Sequence, residues 1–188
     1  MNNETEASTD TWDILTRILH WVSAIWVMGL IGVGLVMVNV VNASGQKFEL
    51  YQLHKSYGFV FGLLLTARFF WKVLAQRPRP LATGFMKKLA TANQYLMLSM
   101  LVLLIASGYA LASFSIIPIP INVLGWNVPS LLTPDVVMEQ RATAMHHYIA
   151  FALTALILVH SVAALFHHFI LKDKTLVRML REHRTEMR

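Results

Sequence analysis

Four long apolar stretches constrain this chain more than any other feature. They run over about 14–41, 50–75, 90–114 and 142–171. Roughly 20 apolar residues in a helix cross about 30 Å of hydrocarbon, so each stretch is long enough to span a bilayer. Backbone groups in lipid must find partners inside their own segment, which selects helices. A soluble domain carries about 25% charged residues; here they make up 14%, against 56% hydrophobic. The expectation is an all-α, integral membrane four-helix bundle over 14–171. A polar tail, 1–13, precedes it, and a basic tail, 172–188, follows. Pro78 and Pro80 rule out continuation of the second helix.

Lysine and arginine set the orientation. Arg17, Arg68, Lys72, Arg77, Arg79, Lys87, Lys88, Lys172, Lys174, Arg178, Arg181, Arg184 and Arg188 fall on one side, and Lys47, Lys55 and Arg141 on the other. That is 13 against 3, so both termini are expected in the cytoplasm. Topology thus explains the net charge of +6, and no nucleic-acid partner is needed. The first 13 residues are acidic (Glu4, Glu6, Asp10, Asp13) with no basic lead, so the first apolar run reads as a retained helix rather than a signal peptide. A loop of nearly 30 residues joins the third and fourth blocks. It holds Pro118, Pro120, Pro129 and Pro134 and is mildly apolar, as expected of a segment on the membrane surface over the helix ends.

Seven of the eight histidines lie in or beside the apolar blocks: His20, His54, His146, His147, His160, His167 and His168. Ionisable groups in a membrane are costly and point to function. A single one is as well explained by an interhelical hydrogen bond; several at matched depths are not. His146 and His160 are 14 residues apart, just under four helical turns and about 21 Å along one face. Leu153 lies midway between them. With the helices alternating in direction, His20 shares a depth with His160, and His54 with His146. Two histidine pairs, one per leaflet, follow from topology. Neutral imidazole is an axial ligand of haem iron, and two such ligands fill both axial positions, as in an electron carrier. Zinc prefers four ligands and finds no acidic partner here. With no cysteine in the chain, any haem is held non-covalently.

Other positions repeat the spacing. Gly34, 14 after His20, lets a flat ring approach the first helix at the outer level, or serves helix packing. Arg68, 14 after His54, reaches the inner level, to meet a propionate or to snorkel to the interface. His167, seven after His160, lies about 10 Å further in. That suits a propionate or a quinone headgroup, or, with His168, an interfacial cluster beside Lys172. His147 turns off the stripe and His183 sits in the tail. The third helix, with Asn93, Gln94, Tyr95 and Ser107-Gly108-Tyr109, has no histidine and reads as scaffold and wall.

His20-Trp21, then Leu53-His54-Lys55-Ser56 with Gly58, then Arg68 resembles the bacterial cytochrome b561 family. So do His146, His160 and His167-His168-Phe169 followed by Lys172-Asp173 and Thr175-Leu176. The likeness spans about 16–179. It implies a four-helix cytochrome domain with two b-type haems in the bacterial inner membrane, exchanging electrons with ubiquinol or ubiquinone. Carried over by position, the axial ligands are His20 with His160 and His54 with His146. Superoxide oxidation occurs in the family, which makes a quinone-linked oxidoreductase working with superoxide or a periplasmic partner one form the function takes. The third helix without histidine, the Pro-rich loop and the few outer cations depart from that member of the family. Two other functions fit the histidines alone: a non-redox anchor or assembly subunit, and a histidine-lined metal or proton transporter. Broken or acidic mid-membrane helices, the mark of a transporter, are not seen in the sequence.

Overall fold

The computed structural model describes residues 11–39, 45–76, 78–117 and 119–180. Glu4, Glu6, Asp10, Arg77, Pro118, Arg181, His183, Arg184 and Arg188 lie outside the described residues. Four helices are long and apolar enough to cross a membrane: α1 (Ile14–Asn39), α2 (Gly45–Leu74), α3 (Gly84–Phe114) and α4 (Val136–Phe169). The chain is a multi-pass membrane protein.

Three of the helices begin before their apolar blocks. α2 gains a polar turn at Gly45–Glu49, α3 begins after Thr83 and includes Lys87 and Lys88, and α4 begins after Asp135. Hydropathy sees only the segment that lipid covers; the backbone ladder continues into the polar interface until a cap stops it. At α4 the stop is explicit. Asp135 Oδ1 accepts from the backbone N–H of Val137 (2.8 Å) and Met138 (2.9 Å). Such a cap contributes about 1 kcal/mol. For a chain of this size Asp135→Ala should lower the detergent-solubilised melting temperature by about 2–4 °C, read by circular dichroism. Asp13 plays the same part for α1. Its carboxylate accepts from Thr16 N–H (2.9 Å) and from the Trp71 indole on α2 (3.1 Å).

The loop before α4 contains an element that helical periodicity does not reveal. Ile121–Val123 (β1) and Trp126–Val128 (β2) form an antiparallel hairpin, with Ile121 opposite Val128. Its two-residue turn has Leu124 at φ 51° and Gly125 at φ 87°. Positive φ at both central positions is the turn whose twist matches paired strands. The all-α expectation thus holds for the membrane part, and this hairpin is the exception. It sits on α2: Lys55 Nζ donates to the Ile119 carbonyl (3.1 Å), Gln52 Nε2 to Pro120 (3.4 Å) and Ser56 Oγ to Asn122 (2.5 Å). This end is called the hairpin pole below. At the opposite, terminal pole, a short α5 (Val177–Leu180) folds back. Trp21 Nε1 donates to the Met179 carbonyl (2.9 Å), and the buried Arg178 donates to the Arg79 carbonyl (2.7 Å).

α1 packs along α2, α3 along α4, and α2 along α3; among the described residues α4 makes no comparably close approach to α1 or α2. The bundle therefore has a slot between α4 and the α1–α2 pair. It is plugged in the middle by Val27, Phe61, Leu65, Leu101 and Leu153. Leu153 is completely buried.

Candidate functional site

Both histidine pairs form, one on each side of the plug. His20 on α1 faces His160 on α4 with ring centroids 6.3 Å apart, and His54 on α2 faces His146 on α4 at 6.2 Å. The ring planes cross at 61° and 83°. His147, one residue off, is exposed. Helical register alone separates the inward-facing His146 from the exposed His147, since one step turns a side chain by about 100°.

The separation admits a metal between the rings. With a metal–imidazole nitrogen bond of roughly 2.0 Å and about 1.1 Å from nitrogen to ring centroid, two trans imidazoles stand about 6.3 Å apart. Both separations also lie within the roughly 4.5–7 Å of ordinary edge-to-face ring contacts. At the hairpin level the hydrogen bonding points to the metal. His146 Nδ1 lies 3.1 Å from the Leu104 carbonyl, and a carbonyl only accepts, so Nδ1 carries the proton and Nε2 keeps its lone pair. Among the described residues no Nε2 of the four histidines has a protein hydrogen-bond partner. No group of three or more His, Asp or Glu converges among them as a zinc site would need.

The surroundings are built for rings. A Cβ on Gly34 would lie 3.4 Å from His54 Cε1, so this glycine faces the expected level, and what it admits there is an imidazole. The reading of α3 as mere scaffold needs correcting. A Cβ on Gly108 would lie 3.0 Å from His146 Cε1 and 3.3 Å from Nδ1, and the buried Ser107 hydroxyl stands 3.2 Å from Nδ1. Helix α3 therefore seats the His146 imidazole that α4 carries. Two adjacent small residues in the charge-free apolar block of α3, 90–114, were the available signal. His54 Nδ1 is buried without a completed hydrogen bond.

The terminal pole collects cations. Arg68 Nη2 lies 3.1 Å from His20 Nδ1. Arg17, three residues before His20 and so on its face of α1, is 8% exposed with its Nε unpartnered. Sequence reasoning placed Arg17 among the topological charges and missed its burial. A buried guanidinium with an open donor calls for an anion, and a haem propionate is one. The residues present therefore fit a haem at this level.

His167 and Asp173 form a separate cluster. His167 Nδ1 and Asp173 Oδ2 are 2.5 Å apart. Burial pushes the Asp173 carboxyl up, but hydrogen bonds from Thr175 and His167 outweigh it and hold its pKa below the usual value. His167 also lines an apolar groove of about 450 Å³ on the outer face of α4, with Leu158, Val159, Val162, Ala163 and Phe166. His168 stacks edge-on against Phe169, with centroids 4.8 Å apart, outside that groove's lining.

Comparison with known proteins now bears on this geometry. The model of the family described as prokaryotic cytochrome b561 matches residues 11–182. The chain belongs to that family. It is 35% identical over 174 residues to cytochrome b561 homolog 2 of Escherichia coli K12, covering 91% of this chain and 92% of the relative. Over 57 residues it is 42% identical to cytochrome b561 homolog 1 of the same organism, covering 30% of this chain and 32% of that relative. Membership in a cytochrome b family carries haem b binding and electron transfer within the membrane.

Proposed function

We propose that the chain holds two haems b, one between His20 and His160 and one between His54 and His146, and passes electrons between the quinone pool and a partner at the hairpin pole. The observation that carries this reading is the pair of matched 6.3 and 6.2 Å imidazole separations on opposite sides of the Leu153 plug. Haem b held by these imidazoles would supply a one-electron carrier at each level. The basic terminal pole places itself in the cytoplasm of the cell's inner membrane by the positive-inside rule. The hairpin pole then faces the periplasm, where a redox protein or superoxide is the exchange partner.

The chain's own residues account for the rest. His146 is held by Leu104 and Ser107, so its Nε2 stays aimed into the slot. Arg17 and Arg68 supply donors for propionates at the terminal level. Leu153 and its neighbours exclude water between the levels. Quinol arrives from lipid, and the α4 groove opens outward through Leu158, Val159, Val162 and Phe166, all exposed. Its size lies in the range of small-molecule sites, about 300–1,000 Å³. A quinol giving up two electrons also gives up two protons. Asp173 holds the His167 Nδ1–H, which leaves Nε2 free to take one of them; the other leaves to water at the terminal pole, and the two electrons go one to each haem.

Anaerobic mixing of the purified holoprotein with ubiquinol tests this. A sharp reduced α band should appear within seconds. His167→Ala should slow that reduction at least tenfold, in the range typical of a lost proton acceptor, while haem content stays unchanged. Equal rates would take the proton role from His167, and folded colourless protein from haem-replete cells would remove the whole reading.

A further inference from the structure

The two imidazole pairs match in spacing but differ in charge. At the terminal level, Arg68 Nη2 stands 3.1 Å from His20 Nδ1. A guanidinium has donors only, so it brings His20 a positive charge and no acceptor. The unpartnered, buried Arg17 adds a second cation on the same face. At the hairpin level, His146 Nδ1 meets the Leu104 carbonyl at 3.1 Å, an acceptor, and the Ser107 hydroxyl at 3.2 Å. Lys55 donates to the Ile119 carbonyl in the loop, and Arg141 is exposed. Lys47, two turns before His54, stands about 10 Å further out along α2.

These differences act on an iron in one direction. A ferric haem carries one more positive charge than a ferrous haem, and a fixed cation inside a low-dielectric bundle favours the ferrous form. An acceptor on Nδ1–H raises the basicity of the ligand and favours the ferric form. Arg68 therefore raises the midpoint at the terminal level, and Leu104 lowers it at the hairpin level. For Nε2 to hold iron the His20 proton must sit on Nδ1, so the guanidinium turns from Nδ1 to a propionate when haem binds; its charge stays beside the same ring and the sign is unchanged.

We propose that Arg68 is a positioning and tuning residue that makes the His20–His160 haem the higher-potential centre. Electrons then run downhill from the hairpin pole to the terminal pole. This rests on the two-haem reading. In the step itself one electron leaves the hairpin-level iron, ferrous to ferric, and one arrives at the terminal-level iron, ferric to ferrous, with no proton exchanged. A quinol beside His167 then reduces the terminal level first, and the same site returns electrons to quinone when a donor works at the hairpin pole.

Potentiometric titration of the full-length holoprotein, followed in the α band, tests it. The wild type should show two waves, with the exchange constant favouring the terminal level at least tenfold, or 59 mV for a one-electron couple. His146→Ala, which keeps the His20–His160 pair, should titrate above His160→Ala, which keeps the other. Arg68→Gln should lower the upper wave and bring the ratio to within about threefold, while Arg68→Lys restores most of it. The proposal is overturned if His160→Ala titrates at or above His146→Ala, or if Arg68→Gln leaves both waves in place. Should Arg68→Gln load only one haem, the two histidine variants still decide the order. A wild-type ratio of one haem per chain would instead strike the two-haem reading, and the haem-to-protein ratio reports that separately.

Discussion

Replacing His160 with alanine should remove about half of the reduced α-band absorbance and one haem per chain, since an iron left with one axial imidazole loses its low-spin spectrum and its hold. His160 is the partner of His20 alone: their rings stand 6.3 Å apart, with the Leu153 plug between them and the other pair. His146→Ala should remove the other half for the same reason at the His54 level. The double variant should be colourless. His147→Ala is the internal control. His147 neighbours His146 in sequence but is exposed, and its loss should leave both haems in place. Haem-to-protein ratio and reduced spectra check each case. Full haem content in His160→Ala would mean that the facing imidazoles are only a structural contact.

Gly108→Val should empty the hairpin level as thoroughly as the loss of His146 itself, although residue 108 is on α3 and ligates nothing. A Cβ there would lie 3.0 Å from His146 Cε1 and 3.3 Å from Nδ1, before the two methyl groups are added. The backbone of α3 cannot yield cheaply, so the imidazole must. Displacing it breaks the 3.1 Å contact with the Leu104 carbonyl and turns Nε2 off its line. Overpacking of this kind costs about 1–3 kcal/mol, and each 1.4 kcal/mol is about tenfold in occupancy. A functional group must stay within about 0.5 Å of its working position. We therefore expect hairpin-level haem affinity to fall about five- to 140-fold, with the terminal level intact. Gly29→Val is the matched control on α1, where an added Cβ meets nothing within 4 Å. Retention of both haems in Gly108→Val would show that the glycine is there for helix packing alone.

The two predictions differ in how visible their grounds were. His160 and its partners can be read from sequence because helix geometry is rigid: 14 residues return a side chain to nearly the same face, and alternating helices pair the depths. Gly108 and Ser107 could not be read in this way. Their role depends on α3 lying against the outer end of α4, and neither residue type announces which neighbour it faces. Gly34 was legible as a position of close approach, while the ring it admits, the His54 imidazole, was not. Arg68 was placed at the right depth, but its 3.1 Å contact with His20 Nδ1 depends on the side-chain path between two helices. Arg17 counts toward orientation in the sequence, and only the fold buries it.

Hydropathy and histidine spacing by themselves determined a four-helix membrane protein with imidazoles at two levels, because lipid forces helices and helices have one pitch. The starts of α2, α3 and α4, the β-hairpin over α2, and the folded-back α5 were decided by tertiary structure and by caps in the polar interface, where hydropathy is silent. So were the slot beside α4 and the unequal electrostatics of the two levels. The reason is physical. Periodicity is a property of one helix, whereas a gap, a seat for an imidazole or a cation beside a ring exists only between helices that have already packed.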